Sequence, residues 1–337
     1  MVEAVNLSWL DLPSRDIGPL AGMSLMYGAD RVVADYTGQS MIPTGIVGEW
    51  QHGWHPPYHQ VSPFWIGGRS LMTRPRRLSW VARRDEAQYL QRCGYRAKAI
   101  GLPICYLAPR EYCRRSGSLL VMPAHSSRFV PAFDSENDQQ AAYVRYVASL
   151  VDQFQDSAVC LHEECIQKGL WVREFEQMGL AVISGASVLD RNSLARVRAL
   201  MSQFEYVTSN VPGSHIAYAA AFGAKVSIAG PIHQWDKKLV KREPIFEENP
   251  QMLDALEHEE ELARDHFPFL FSEPRGANRY VEWGEEMIGM NNVVSPQEMV
   301  LSFKVDPISE RARRSVRASK KIVGKMLRGL RPPRAAL

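Results

Sequence analysis

Between residues 118 and 228, short apolar runs alternate with helix-length amphipathic segments. That alternation narrows the fold more than any other feature of the chain. The runs 118–123 (SLLVMP), 157–161, 180–183 and 225–228, with the one that ends at Tyr206-Val207, are apolar without the every-second-residue rhythm of a half-exposed strand. Strands covered on both faces have that composition. Between them, residues 138–154, 169–178, 190–204 and 215–222 carry helical spacing. The first places Ala142, Val144, Val147, Leu150, Val151 and Phe154 on its apolar side, and Asp190 is placed to N-cap the third. The pattern predicts an α/β fold, a parallel sheet with helices on both faces. Ligands of such sheets bind beyond the carboxyl ends of the strands. Those ends carry residues 125–128 (HSSR), 162–164 (HEE), Ser184-Gly185 and 208–215 (TSNVPGSH).

The last of these ends is the sharpest. In 205–230, EYVTSNVPGSHIAYAAAFGAKVSIAG, a strand runs into a polar loop, an alanine-rich helix closed by Gly223, and the next strand. A glycine-containing loop that opens a helix gathers backbone N–H groups and the positive helix end at one point, which suits a phosphate. The alternative is an ordinary βαβ crossover whose loop binds nothing.

The 337 residues suffice for two domains with cores of their own, and 45% hydrophobic with 23% charged residues is an ordinary globular balance. No apolar run approaches the ~20 residues of a membrane span. The first residues lack a basic start and an apolar stretch, so no signal peptide is expected. Five cysteines without a CxxC pair suggest neither a disulfide framework nor a zinc site, and point to a reducing cytoplasm. The net charge of +3 is uneven: residues 311–337 hold ten Lys or Arg and no acid, which leaves the rest of the chain at −7.

Before residue 118 the signals are weaker. RVVAD (31–35) reads as a short strand. GEWQHGWHPPYH (48–59) is broken by prolines and reads as an aromatic loop of the kind that lines ligand sites. It reads equally as an aromatic cluster packed under the core. Its three histidines, His52, His55 and His59, match no standard metal spacing. Residues 79–94 look helical, 97–107 (AKAIGLPICYL) look like a broken strand, and the polar, basic stretch 112–118 looks like a linker. Beyond Gly230 an acidic helix is expected over 249–265, and helices over 280–288 and 295–303, the last with Ser295 as N-cap and Pro296 in its first turn.

The order of a strand ending in PAHSSR, an α/β run and then TSNVPGSHIAYAAAFGAKV resembles the C-terminal half of GT-B-fold nucleotide-sugar enzymes. These are the glycosyltransferases of bacterial capsule and lipopolysaccharide synthesis and the UDP-GlcNAc 2-epimerase-like proteins. GEWQHGW resembles their loop facing the interdomain cleft, and AKAIGLPICYL the closing strand of their N-terminal domain. The resemblance covers roughly residues 45–230. It implies a GT-B-like fold of two Rossmann-like lobes, the N-terminal one short, followed by C-terminal helices. The implied division is an acceptor-side lobe at 1–115, a nucleotide-binding lobe at 116–232, a helical extension at 233–310 and a basic tail at 311–337. His125, Ser126 and Arg128, with Ser209, Asn210, Gly213, Ser214 and His215, would hold the nucleotide phosphates. His52, Glu49 and Asp35 are the candidates for the catalytic base. The implied substrates are a nucleotide sugar and a saccharide or lipid-linked acceptor, with no further cofactor.

Sugar transfer needs a stabilised leaving phosphate and a base for the acceptor hydroxyl, which these residue types supply. No acidic DxD-like pair stands out, so no metal is expected. An epimerase that acts on the donor alone, or a binding protein derived from such an enzyme, remain the alternatives. The basic amphipathic segment 311–330 fits peripheral attachment to the anionic inner face of the cytoplasmic membrane, and equally a solubilising tail. The acidic body argues against nucleic acid.

Overall fold

The structure is a computed structural model that describes residues 7–18, 23–38, 48–68, 71, 74–125 and 138–303. After an extended arm (7–18) and a 3-10 turn (Met23–Gly28) comes helix α1 (Ala29–Thr37). A strand was expected over 31–35. The helix wins because Ala29, Val32 and Val33 share one buried face, while Arg31 and Asp35, one turn apart, pair outside it.

Three parallel strands follow in the order β1 (Gly48–Trp50), β2 (Leu78–Val81), β3 (Arg96–Ala99), with α2 (Pro63–Gly67) and α3 (Arg84–Arg92) between them. The helix expected over 79–94 therefore divides. Leu78–Val81 pairs on both sides, with β1 and with β3, and the helix starts only after Arg83. The Glu86 carboxylate accepts the Arg83 backbone N–H at 2.9 Å and fixes that start. The broken strand over 97–107 shortens to β3 and a 3-10 turn, Pro103–Tyr106.

The larger sheet contains β4 (Arg115–Val121), β5 (Asp156–Leu161), β6 (Ala181–Ser184), β7 (Phe204–Ser209), β8 (Lys225–Ile228) and β9 (Asn278–Arg279). Its order is β6-β5-β4-β7-β8-β9, with β9 antiparallel to β8 and the other pairs parallel. This is the Rossmann-like order, in which the chain reverses direction across the sheet between β4 and β7. The intervening helices are α4 (Asp138–Leu150), α5 (Glu163–Gln167), α6 (Val172–Gln177), α7 (Ser193–Gln203) and α8 (Ser214–Ala221). Successive strand residues face opposite sides. Leu120, Ala158, Cys160 and Val207 join the core that holds α7 and α8; Leu119, Val121, Val159 and Leu161 join the one that holds α4 and α6. Both faces are covered, as the non-alternating strands require.

The helix expected over 169–178 is shorter, and Asp190 does not cap α7. Its Oδ1 accepts the N–H groups of Asn192 and Asp16, both at 2.9 Å. The second bond ties it to the arm, which packs along α7 of the larger unit although it was assigned to the N-terminal lobe. Asp11 exchanges bonds with Gln203, Arg196 donates to the Pro13 carbonyl, and Ile17 bridges Asp190. Nor is 112–118 a free linker. Arg114 donates to the carbonyls of Met201, Phe204 and Phe222, at the C-terminal ends of α7 and α8, and β4 begins at the next residue.

C-terminal to β8 come α9 (Lys237–Val240), α10 (Pro244–Glu247), α11 (Pro250–Glu257), α12 (Glu259–His266), α13 (Val281–Ile288) and α14 (Pro296–Ser302). The expected acidic helix is broken at His258 into α11 and α12. Ser295 caps α14 as expected, accepting from Glu298 N. Trp50 and Trp80 of the smaller sheet, Val207 and Ile216 of the larger unit, and Ile288 of α13 lie in one continuous core.

Candidate functional site

The reversal between β4 and β7 places two chain ends side by side, and Asn210 ties them. Its side-chain oxygen accepts the Ala124 N–H at 2.8 Å and its carbonyl accepts the His233 N–H at 2.8 Å. His125 after β4 and His233 after β8 are thereby held beside the turn that leads to His215. Asn210 and Ser209 are buried, and the Ser209 hydroxyl accepts from Val211 N. Both were expected to hold phosphate; in the structure they shape the loop that carries the histidines.

The turn itself is organised by a ring. The His215 imidazole folds back over Gly213: a Cβ at 213 would stand 2.8 Å from its Cε1. The backbone at Gly213 is extended, so the requirement for glycine is space. The Ser214 hydroxyl donates to the Trp54 carbonyl at 3.4 Å and lies 2.4 Å from where Gly53 would carry a Cβ. The QHGW loop is thus seated on the start of α8, and the Tyr218 hydroxyl fixes it from below by a 3.0 Å bond to the His52 carbonyl. Of the residues expected to cradle phosphate, His125, Asn210, Gly213, Ser214 and His215 are brought together. Ser126 and Arg128 lie outside the described residues.

His162 completes the recess. Its ring stacks on His125 with centroids 5.0 Å apart, and its Nδ1 accepts the Glu164 N–H at 3.2 Å as the N-cap of α5. That bond requires a lone pair on Nδ1, so the proton sits on Nε2, 3.5 Å from the Tyr27 hydroxyl. Tyr27 stands between His162 and His52, ring centroids 6.3 Å and 5.8 Å away. It holds a left-handed backbone (φ 62°), uncommon outside glycine, and its N–H donates to the Val188 carbonyl.

Burial lowers the pKa of His52, His162, His215 and His233, the last two to about 4. His125 and His52 meet solvent at the mouth, yet protein crowds both. Desolvation, then His162, His215 and His233, push His125 down as well. At pH 7 the recess is a set of neutral imidazoles.

Of the expected bases, His52 faces this recess. Glu49 on β1 is paired with Arg77, and Asp35 sits on the exposed side of α1 with Arg31. His55 and His59 point elsewhere, and His59 stacks on Trp65 at 3.8 Å. Glu163, beside His162, is pinned by Arg15 and Ser184. Among the described residues, Asp254, Glu257 and His258 offer metal-ligand atoms close together, but all three are exposed and Glu257 pairs with Lys237.

The sequence reading placed His162 at a strand end without giving it a role in binding, and did not name His233 or Tyr27. The strand-end rule reaches His162 directly, and reaches His233 when extended past β8. Nothing local points to Tyr27, which meets His162 across 135 residues. A scan against protein-family models finds no match to this chain, and a search of the curated proteins finds none. No helix among the described residues is long and apolar enough to cross a membrane.

Proposed function

We propose that the chain is a metal-independent glycosyltransferase of GT-B type that transfers a sugar from a nucleotide donor to a saccharide or lipid-linked acceptor. One observation carries this reading. At the reversal point of a Rossmann-like sheet, the usual place for a nucleotide, His125, His162, His215 and His233 stand together, and Tyr27 links His162 to the His52 ring of the loop after β1. Imidazoles that gain a proton can hold the leaving phosphate, and the neutral His52 ring suits removal of a proton from an acceptor hydroxyl. The smaller sheet would be the acceptor-side lobe of this scheme. Peripheral attachment to the inner membrane face belongs to the same proposal; it rests on the basic segment 311–337, which lies outside the described residues.

The reading is tested by calorimetric titration with UDP-glucose, GDP-mannose, TDP-glucose and CMP-N-acetylneuraminate, followed by assay of sugar transfer and of donor hydrolysis. One donor is expected to bind. His215→Ala should weaken it by roughly 1.5–3 kcal/mol, the range for a hydrogen bond to a charged group. Gly213→Val should abolish binding, through displacement of the His215 ring, with the far-UV spectrum unchanged. Wild-type affinity in both variants would remove the site. Conversion of the donor sugar without transfer would make the protein an epimerase.

A further inference from the structure

We propose that the recess takes up protons together with its ligand, so that the phosphate groups of an activated sugar are held by imidazoles that become charged only as the ligand arrives. The proposal rests on the nucleotide-sugar reading and adds how the binding charge is made.

Three features of the geometry lead there. First, none of the described lysines or arginines is hydrogen-bonded or ion-paired to His125, His162 or His215. Second, the His215 ring donates to the Val211 carbonyl, while its Nε2 is buried with no partner. A buried, unsatisfied nitrogen is costly as it stands. Protonation turns it into a second donor in the first turn of α8, which a phosphate oxygen meets once the ring moves off Gly213. Third, His162 is held neutral, because a proton on Nδ1 would break the cap of α5. The added protons therefore go to His125 and His215.

The surroundings oppose charge until an anion supplies the balance. His125 is faced by His162 from the end of β5, by His215 from α8 and by His233 from the loop after β8. Two charged rings stacked 5.0 Å apart repel, which again leaves one proton for the His125–His162 pair. The nearest carboxylates, Glu163 and Glu164 on α5, act on His162, and Glu163 is already neutralised by Arg15. Tyr27 and His52 complete the facing groups on the N-terminal side. Desolvation keeps His125 and His215 neutral near pH 7 on their own, and an adjacent phosphate reverses that preference. Affinity then rises as pH falls, by up to about tenfold per pH unit for each proton taken up.

The test uses the whole chain and the four sugar nucleotides named above, whose phosphate diesters keep their charge between pH 5 and 8. Binding enthalpy is measured at pH 6.5 in two buffers of different protonation enthalpy, and affinity at several pH values. The expected result is uptake of about one to two protons, and tighter binding at lower pH. His125→Gln or His215→Gln should each reduce the uptake, while the wild-type measurement decides the matter even if a variant does not fold. Binding with a buffer-independent enthalpy and a pH-independent affinity would overturn proton coupling and leave the nucleotide site standing. No binding by any of the four at any pH would remove the nucleotide-sugar reading, and this inference with it.

Discussion

Glu259, the first residue of α12, keeps its carboxyl among aromatic rings. Trp235 donates its indole N–H to Oε2, and His59 Nε2 lies 3.5 Å from Oε1. The distance suggests an ion pair, but burial argues otherwise. It lifts the Glu259 pKa to about 7 and drops that of His59 to about 3, so across the interval between them both groups are neutral. An acid whose folded pKa exceeds its unfolded value holds its proton in the native state while the unfolded chain releases it. Stability is therefore lost as pH rises from about 4.5 through 7. Glu259→Gln keeps an acceptor for Trp235 and removes the ionisation. It should be more stable than wild type at pH 8 by on the order of 1–3 kcal/mol, and no more stable at pH 4.5. Urea melts at the two pH values measure this, and equal pH dependence in the two proteins would contradict it. His215 makes the complementary point about single residues. Its buried Nε2 is a local cost that makes sense in a binding site, and the glycine two positions earlier gives its ring space.

Among the elements, α8 carries the site and depends on α13 for its position. The two helices approach so closely that a Cβ at Gly284 would stand 2.2 Å from the backbone nitrogen of Ala221 and 2.7 Å from the carbonyl carbon of Ala220. The alanines 217, 219, 220 and 221 are all buried, and their small side chains permit this approach. The alanine richness that marked α8 in the sequence thus reflects a helix enclosed by the sheet and a second helix. Gly284→Ala should cost about 1–3 kcal/mol or more, because the obstacle is backbone and cannot rotate away. Gly276→Ala, where a Cβ meets nothing within 4 Å, should be close to neutral. Thermal melts of the two variants make the comparison. Comparable losses would mean that the contact of α8 with α13 is looser than described.

At the scale of the molecule, the arm 7–18 packs along α7 of the larger unit, α1 packs on the 3-10 turn Pro103–Tyr106 and on α14, and one core joins both sheets. Such sharing predicts a single cooperative unfolding transition by calorimetry; two resolved transitions would mean that the sheets unfold independently. The buried histidines set the acid limit. His59, His215 and His233 have folded pKa values of about 3, 4 and 4, well below their unfolded value. The unfolded chain therefore binds more protons than the native one below pH 6.5. Each such residue removes about 1.4 kcal/mol per pH unit as pH falls toward its folded pKa. The melting temperature should drop steeply from pH 6.5 to 4.5, against the smaller opposite slope from Glu259. A sugar nucleotide that binds with proton uptake should protect against acid. A melting temperature that stays level to pH 4.5 would mean that these rings are charged in the folded protein.

The α/β class was legible in the sequence because strands such as 118–121 and 157–161 are apolar on both faces, a local property that no distant contact has to supply. These strands carry His125 and His162 at their ends, and His215 follows the strand Phe204–Ser209. Before residue 112 helix and strand were legible only in part: the helix Arg84–Arg92 and most of the strand Arg96–Ala99 fall inside segments read as such, and the rest did not. RVVAD is too short to show the 3.6-residue period that Ala29 completes, and LSWV is a strand only because β1 and β3 flank it. The sequence also could not assign the roles of polar residues, since each depends on a partner far along the chain. Glu49 is taken by Arg77, Ser214 by Trp54, Asn210 by Ala124, and Asp190 by Asp16. Only the tertiary structure brought Tyr27 to His162 and buried His59 against Glu259. Hydrogen bonding and desolvation are decided by what lies within a few ångströms, and chain order does not specify that neighbourhood.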